Sequence, residues 1–192
     1  MDIFEAIKNR RSIRRYKSDP VDDKTVLAVL EAAHWAPSWK NTQCWRFIIV
    51  RDVACKAKIA DSLMKVKFDN ELMDNAATSA IKQAPILIVM CAEIGKAGYG
   101  LEGTPVTDKG DWFMFDIALA MENLLLAAHA LGLGTVIVGG FDAGKTAEIL
   151  GVPDGMTVVA MTPLGFPDSK GQVSPRKDIS EVIYHDKFSC WR

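Results

Sequence analysis

Six basic side chains crowd positions 8–17: Lys8, Arg10, Arg11, Arg14, Arg15 and Lys17. Arginine suits phosphate because its planar fork donates two parallel hydrogen bonds. Ser12 adds a hydroxyl between Arg11 and Arg14, and a second basic pair, Arg176-Lys177, stands far along the chain. Three readings follow. The run is a solvated face partly neutralised by Asp19, Asp22 and Asp23, a nucleic-acid arm, or a pocket for one phosphate. The net charge of −1 and the absence of interleaved aromatics argue against nucleic acid. A second candidate is GGFDAGKT at residues 139–146, which satisfies the phosphate-loop spacing between a strand and a helix. Its helix is only about two turns long before Gly151 and Pro153. Only 46 residues follow Thr146, and the next strand ends at Met161-Thr162-Pro163 without an aspartate for Mg²⁺. A nucleotide-hydrolase loop is therefore the weaker reading.

Metal and acid–base chemistry find little support. Cys44, Cys55, Cys91 and Cys190 are scattered with no C-x-x-C pair, and three histidines complete no common zinc spacing. The cysteines fit a reduced, cytoplasmic chain. His34 and His129 lie in predicted helices and read as structural. Glu122 and His129, seven apart on one helix, either pair with each other or meet a partner across an interface.

The elements that must position these residues follow from caps and periodicity. Asp2 with Glu5 predicts a capping box for a first helix with an Ile3, Phe4, Ile7 stripe. A second helix starts near Asp22 and ends before Pro37. Trp45–Val50 reads as a strand, residues 53–83 as one or two amphipathic helices, and Ile86–Cys91 as a strand covered on both faces. Residues 93–110 are a long Gly-rich loop. Residues 112–131 form a helix apolar on most of its circumference, placed at the centre of the molecule or in a subunit interface. Its acids Asp116 and Glu122 make it a poor membrane span. A strand at 135–138, a helix at about 143–150 capped by Asp142, and a strand at 157–161 complete the pattern. The whole is an α/β mixture of one domain, residues 1–192, with 49% hydrophobic residues and no repeat or linker.

Three separated segments together resemble the FMN-dependent nitroreductase-like family: NRRSIRRY at 9–16, APSWKNTQCW at 36–45, and GGFD at 139–142 followed by GFP and by PRK at 175–177. The resemblance implies an α+β nitroreductase-like fold, a mixed central sheet flanked by helices, and an intertwined homodimer with shared flavin sites. It implies that Arg10, Arg11, Ser12 and Arg14 contact the FMN phosphate, ribityl chain and pyrimidine edge. Arg176 would close on the phosphate, with Lys177 beside it. Pro37, Ser38 and Trp39 of the partner subunit would cover the isoalloxazine, and Asn41 would hold that turn or reach the flavin. The Gly139-Gly140 backbone would pass the ring near N5. No catalytic acid–base residue and no metal are implied. NAD(P)H would be the reductant, and a nitroaromatic or quinone the small-molecule acceptor, in a ping-pong cycle. Neither nucleic acid nor membrane is a partner. Branches with other FMN chemistry, and a flavin-binding protein without turnover, remain alternatives. Cys44 stands where the family commonly has proline and reads as a small buried filler. The resemblance assigns no role to segment 93–111; in this family such insertions shape the substrate pocket.

Overall fold

Among the described residues, side-chain caps start five of the six α-helices. Asp2 accepts from the Phe4 amide for α1 (Ile3–Asn9), with the reciprocal Glu5 contact completing the box. Asp22 caps α2 (Asp23–His34), Asp52 caps α3 (Val53–Ala60), Asn75 caps α4 (Ala76–Gln83) and Asp142 caps α6 (Ala143–Leu150). Each such bond satisfies an amide the helix cannot, worth about 1 kcal/mol. The exception is α5 (Phe113–Ala130), which has no side-chain cap at Trp112. Packing holds this helix. It ends where Gly132 takes a φ of +77°. The computed structural model describes residues 1–188, with only the backbone of Phe68; Cys190 lies outside the described residues.

The strands are β1 (Trp45–Val50), β2 (Val66–Phe68), β3 (Glu71–Met73), β4 (Ile86–Glu93), β5 (Gly134–Thr135) and β6 (Met156–Gly165). Four of them form one sheet in the order β1-β4-β6-β5, each neighbouring pair antiparallel. Parallel pairing enters through the isolated bridge between Ser12 and Thr135.

Strand periodicity sorts the core. Ile86, Ile88, Met90 and Ala92 of β4 pack with Val26 and Val29 of α2 and with Ile117, Leu124 and Leu125 of α5. The alternate residues Leu87, Val89 and Cys91 face Ile59 of α3 and Ile81 of α4, where Leu150 of α6 also packs. The sheet thus lies between two helical layers, and β4 is buried on both faces.

Two local expectations change. Residues 53–83 hold α3 and α4 with the β2–β3 hairpin between them. The hairpin turns at Asp69 and Asn70, both at positive φ, which the twist of a two-residue turn demands. The strand expected over 135–138 pairs in the ladder only at 134–135, with one further bridge from Val138 to Met161. The Ile3, Phe4, Ile7 stripe of α1 stays exposed in this chain, and only Ala6 of that helix is buried. By length and composition α5 could cross a membrane. Here it lays Ile117, Ala120, Met121, Leu124, Leu125 and Ala128 into the core and leaves Met114 and Phe115 exposed.

Candidate functional site

The basic run lies between α1 and α2 and is pinned to the sheet edge. Ser12 bridges Thr135, and the Ile13 amide donates to the Thr135 carbonyl at 2.8 Å. The Lys17 amide donates to Phe166, and the Asp168 amide to Arg15. Two glycines permit these approaches. A Cβ on Gly134 would lie 2.8 Å from the Ile13 side chain, and one on Gly171 would lie 2.3 Å from the Arg11 Cβ. The second contact brings the C-terminal segment beside the run.

As a result Arg10, Arg11, Ser12, Arg14 and Arg176 line one cavity of about 500 Å³, together with Lys8, Gln172 and Ser174. No carboxylate lines it. Among the described residues Arg10, Arg14 and Arg176 form no salt bridge. Like charges that converge without a counter-ion raise each other's energy, and an anion relieves that repulsion. The lining therefore fits a phosphate, and the volume fits a cofactor-sized ligand. Arg11 is partly committed elsewhere. Its Nη1 donates to the Lys8 carbonyl at 2.5 Å and the Arg10 carbonyl at 2.7 Å, closing the end of α1. Lys177 does not line this cavity.

The Pro37–Cys44 segment lies apart from this cavity in the same chain. Lys40, Asn41 and Gln43 all have positive φ, at 45°, 56° and 48°. Such backbone costs about 1–2 kcal/mol per non-glycine residue, and asparagine tolerates it best. Asp116 of α5 holds the segment in place. Both of its carboxylate oxygens lie 3.1 Å from the donating Trp39 amide, and the Cys44 thiol points at Oδ2 from 3.7 Å. The Ser38 hydroxyl accepts from the Gln43 amide at 3.0 Å. Burial pushes the Asp116 carboxyl above the ordinary value, while the Trp39 amide and Cys44 thiol pull it down. Burial, then the neighbouring Asp116 charge, pushes the Cys44 thiol up to about 12, so it stays protonated and serves as filler. The Trp39 ring packs on Trp112 with centroids 5.0 Å apart.

Sequence reasoning treated Asp116 only as an obstacle to a membrane span. The usable signal was a lone acid on the buried stripe of an apolar helix, since such groups are kept only with partners. Asn75 was also missed. It caps α4, and its Nδ2 lies 3.5 Å from where a Cβ on Gly140 would stand.

Gly139 is exposed, and a Cβ on it would meet no atom of this chain within 4 Å. Packing within the chain does not require glycine there, so the position is free for close approach of a flat ligand. The phosphate-loop spacing has a different outcome. Asp142 caps the helix start by accepting from the Lys145 amide at 2.9 Å. The fully buried Thr146 donates to the Asp142 carbonyl and meets the Ser62 hydroxyl. The Lys145 and Thr146 amides and the threonine hydroxyl are thus already engaged within the chain. His34 is structural, with Nδ1 accepting from the Trp45 indole at 3.2 Å. His129 is half-buried, Nε2 having no partner among the described residues. Burial, with Arg10 and Arg11, lowers its pKa.

The chain is similar to several known proteins. The chain is 28% identical over 207 residues to an NADH dehydrogenase of Thermus thermophilus, spanning 95% of each. It is 32% identical over 168 residues to a 5,6-dimethylbenzimidazole synthase of Rhodospirillum rubrum, covering 82% of this chain and 78% of that protein. A Desulfovibrio desulfuricans protein solved in complex with FMN superposes with a TM-score of 0.74 at 28% identity, over 98% of both chains. A family model described as "Nitroreductase family" matches residues 7–166. With its arginine-lined cavity, its α+β fold and this match over most of its length, the chain belongs to the nitroreductase family.

Proposed function

We propose that this chain is an FMN-dependent NAD(P)H oxidoreductase that passes two electrons to a nitroaromatic or quinone acceptor and works as a homodimer. The observation that carries the reading is the cavity in which Arg10, Arg14 and Arg176 converge with Ser12 and no acid. Bound FMN supplies hydride chemistry, so that NAD(P)H, a proton and a quinone become NAD(P)⁺ and a quinol. The protein supplies binding and orientation. Arg10, Arg14 and Arg176 grip the phosphate, Ser12 donates a hydroxyl, Arg11 shapes the end of α1, and Lys177 contributes positive potential from outside. Gly139 and Gly140 let backbone approach the ring near N5. Pro37, Ser38, Trp39 and Asn41 of the partner subunit cover it. The exposed Ile3, Phe4 and Ile7 of α1 provide apolar surface for that dimer. No side chain is needed as general acid, since protons reach the acceptor from water.

The test is direct. Purified protein should show flavin absorbance bands at one FMN per chain and oxidise NADH or NADPH with menadione or nitrofurazone. A colourless protein that takes up no added FMN overturns the proposal. FMN binding without turnover overturns the enzymatic part and leaves a flavin-binding module.

A further inference from the structure

The segment before α5 builds a second feature, separate from the phosphate cavity. Trp39, Trp112 and Phe115 form a continuous aromatic wall, with ring centroids 5.0 Å apart for the first pair and 5.4 Å for the second. Trp112 is oriented by its indole N–H, which donates to the Thr107 hydroxyl at 3.0 Å. The Lys109 ammonium lies 5.4 Å from the centroid of the Trp112 ring. Lys109, Asp111, Trp112, Met114 and Phe115 line a cavity of about 230 Å³.

The polar groups there are uneven. Asp111 is tied to backbone, one oxygen accepting from Gly95 at 2.7 Å and the other from Phe113 at 3.1 Å. Lys109 forms no salt bridge among the described residues. The Trp39 indole N–H is buried without an acceptor among them. Of the two charged side chains in the lining, Asp111 is thus held by backbone amides and Lys109 is left free over an aromatic surface. Glu102 and Asp108 are exposed and lie off the lining. The volume is below the roughly 300–1,000 Å³ of drug-sized pockets and suits a single ring.

We infer that Lys109, Trp112 and Phe115 form the docking wall for the electron acceptor, and that they select a single-ring aromatic whose edge carries an anionic oxygen group such as a carboxylate or phenolate. This rests on the reading above, because Trp39 joins the wall to the segment assigned to cover the flavin. Lys109 acts as a specificity residue. The ring stacks on Trp112, and the oxygens face the ammonium.

The experiment compares para-nitrobenzoate, para-nitrobenzyl alcohol and para-nitrobenzylamine as acceptors for the FMN-loaded dimer at saturating NAD(P)H. The wild type should favour the benzoate over the alcohol by about threefold to fivefold in kcat/KM, the upper part of the range of a solvent-exposed ion pair. Lys109→Met should bring that ratio near one. Lys109→Glu should swing the benzoate-to-amine ratio about tenfold toward the amine. Lys24→Glu should leave the ratios as they are, since Lys24 lines no part of this cavity. A wild-type benzoate-to-alcohol ratio near one, or ratios unchanged in Lys109→Glu, overturns the inference. If no acceptor is reduced, the proposed activity has failed. The wall is then judged by saturable quenching of tryptophan fluorescence by para-nitrobenzoate. Its loss in Lys109→Glu upholds the anion site, and its absence in the wild type overturns that too.

Discussion

The arginine cavity and the Pro37–Cys44 segment are stabilised in opposite ways. In the cavity Arg10, Arg14 and Arg176 gather with no acid in the lining, so the arrangement gains from an anion. The segment carries three residues at positive φ, yet its own chain holds it, through a buried carboxylate from a helix 72–77 positions away. The contrast separates two kinds of preorganisation. The cavity is assembled in charge, with no acid to neutralise it. The segment is assembled in shape by contacts within its own chain.

Removing a phosphate contact should give the largest effect. Arg10→Ala, Arg14→Ala or Arg176→Ala each deletes a charge-assisted bond worth about 1.5–3 kcal/mol. FMN affinity should fall about 10- to 150-fold in a fluorescence titration, with little change in the fold because these side chains pair with no acid. A variant that keeps wild-type affinity would erase the proposed role of the cavity.

The next effect belongs to the self-held half. Asp116→Leu leaves the Trp39 amide without its acceptor and should cost about 1–3 kcal/mol in chemical denaturation. Unlike the arginine variants, it should lose stability even without FMN. Equal stability of Asp116→Leu and wild type would remove the distinction between the halves.

Gly139→Ala sharpens the comparison from the ligand side. A Cβ there meets nothing in the chain, so stability should stay within about 0.5 kcal/mol. FMN affinity should drop, because the added methyl group stands where the ring is proposed to lie. Unchanged affinity would move the ring elsewhere.

The smallest effect is a pH slope. Burial raises the folded carboxyl of Asp116 above 3.8, so the folded state keeps this proton to higher pH than the unfolded chain. Its contribution is complete below 3.8 and declines as pH rises through the folded value. Asp116→Asn cannot titrate and retains an acceptor oxygen. The Tm difference between this variant and wild type should therefore shift in favour of asparagine as pH rises from acid to neutral. His129 runs the other way. Its lowered value means stability is lost as pH falls below 6.5, and replacing it should flatten that limb.

Short-range chemistry was the legible part. Asp2 with Glu5, Asp22 and Asp142 announced their helices because a cap joins residues two or three apart. The apolar run at 86–91 announced a doubly covered strand. The β2–β3 hairpin escaped because Lys67, Glu71, Leu72 and Met73 suit a helix as well as a strand, and only the Asp69-Asn70 turn betrays it. Periodicity found the α1 stripe because it records which face is apolar, but it says nothing of what covers that face, and the stripe is exposed.

By itself the sequence determined which groups could bind a phosphate, where most helices begin, and that the GGFDAGKT spacing lacked the surroundings of a nucleotide loop. Only the tertiary structure decided that Arg176 reaches Arg10 and Arg14, because Gly171 fits against the Arg11 Cβ. It also decided that Asp116 anchors the Pro37–Cys44 segment and that Trp39 continues into Trp112. The physical reason is range. Caps and periodicity act within a few residues, whereas these contacts depend on how close one backbone can come to another after the sheet and its two helical layers have assembled.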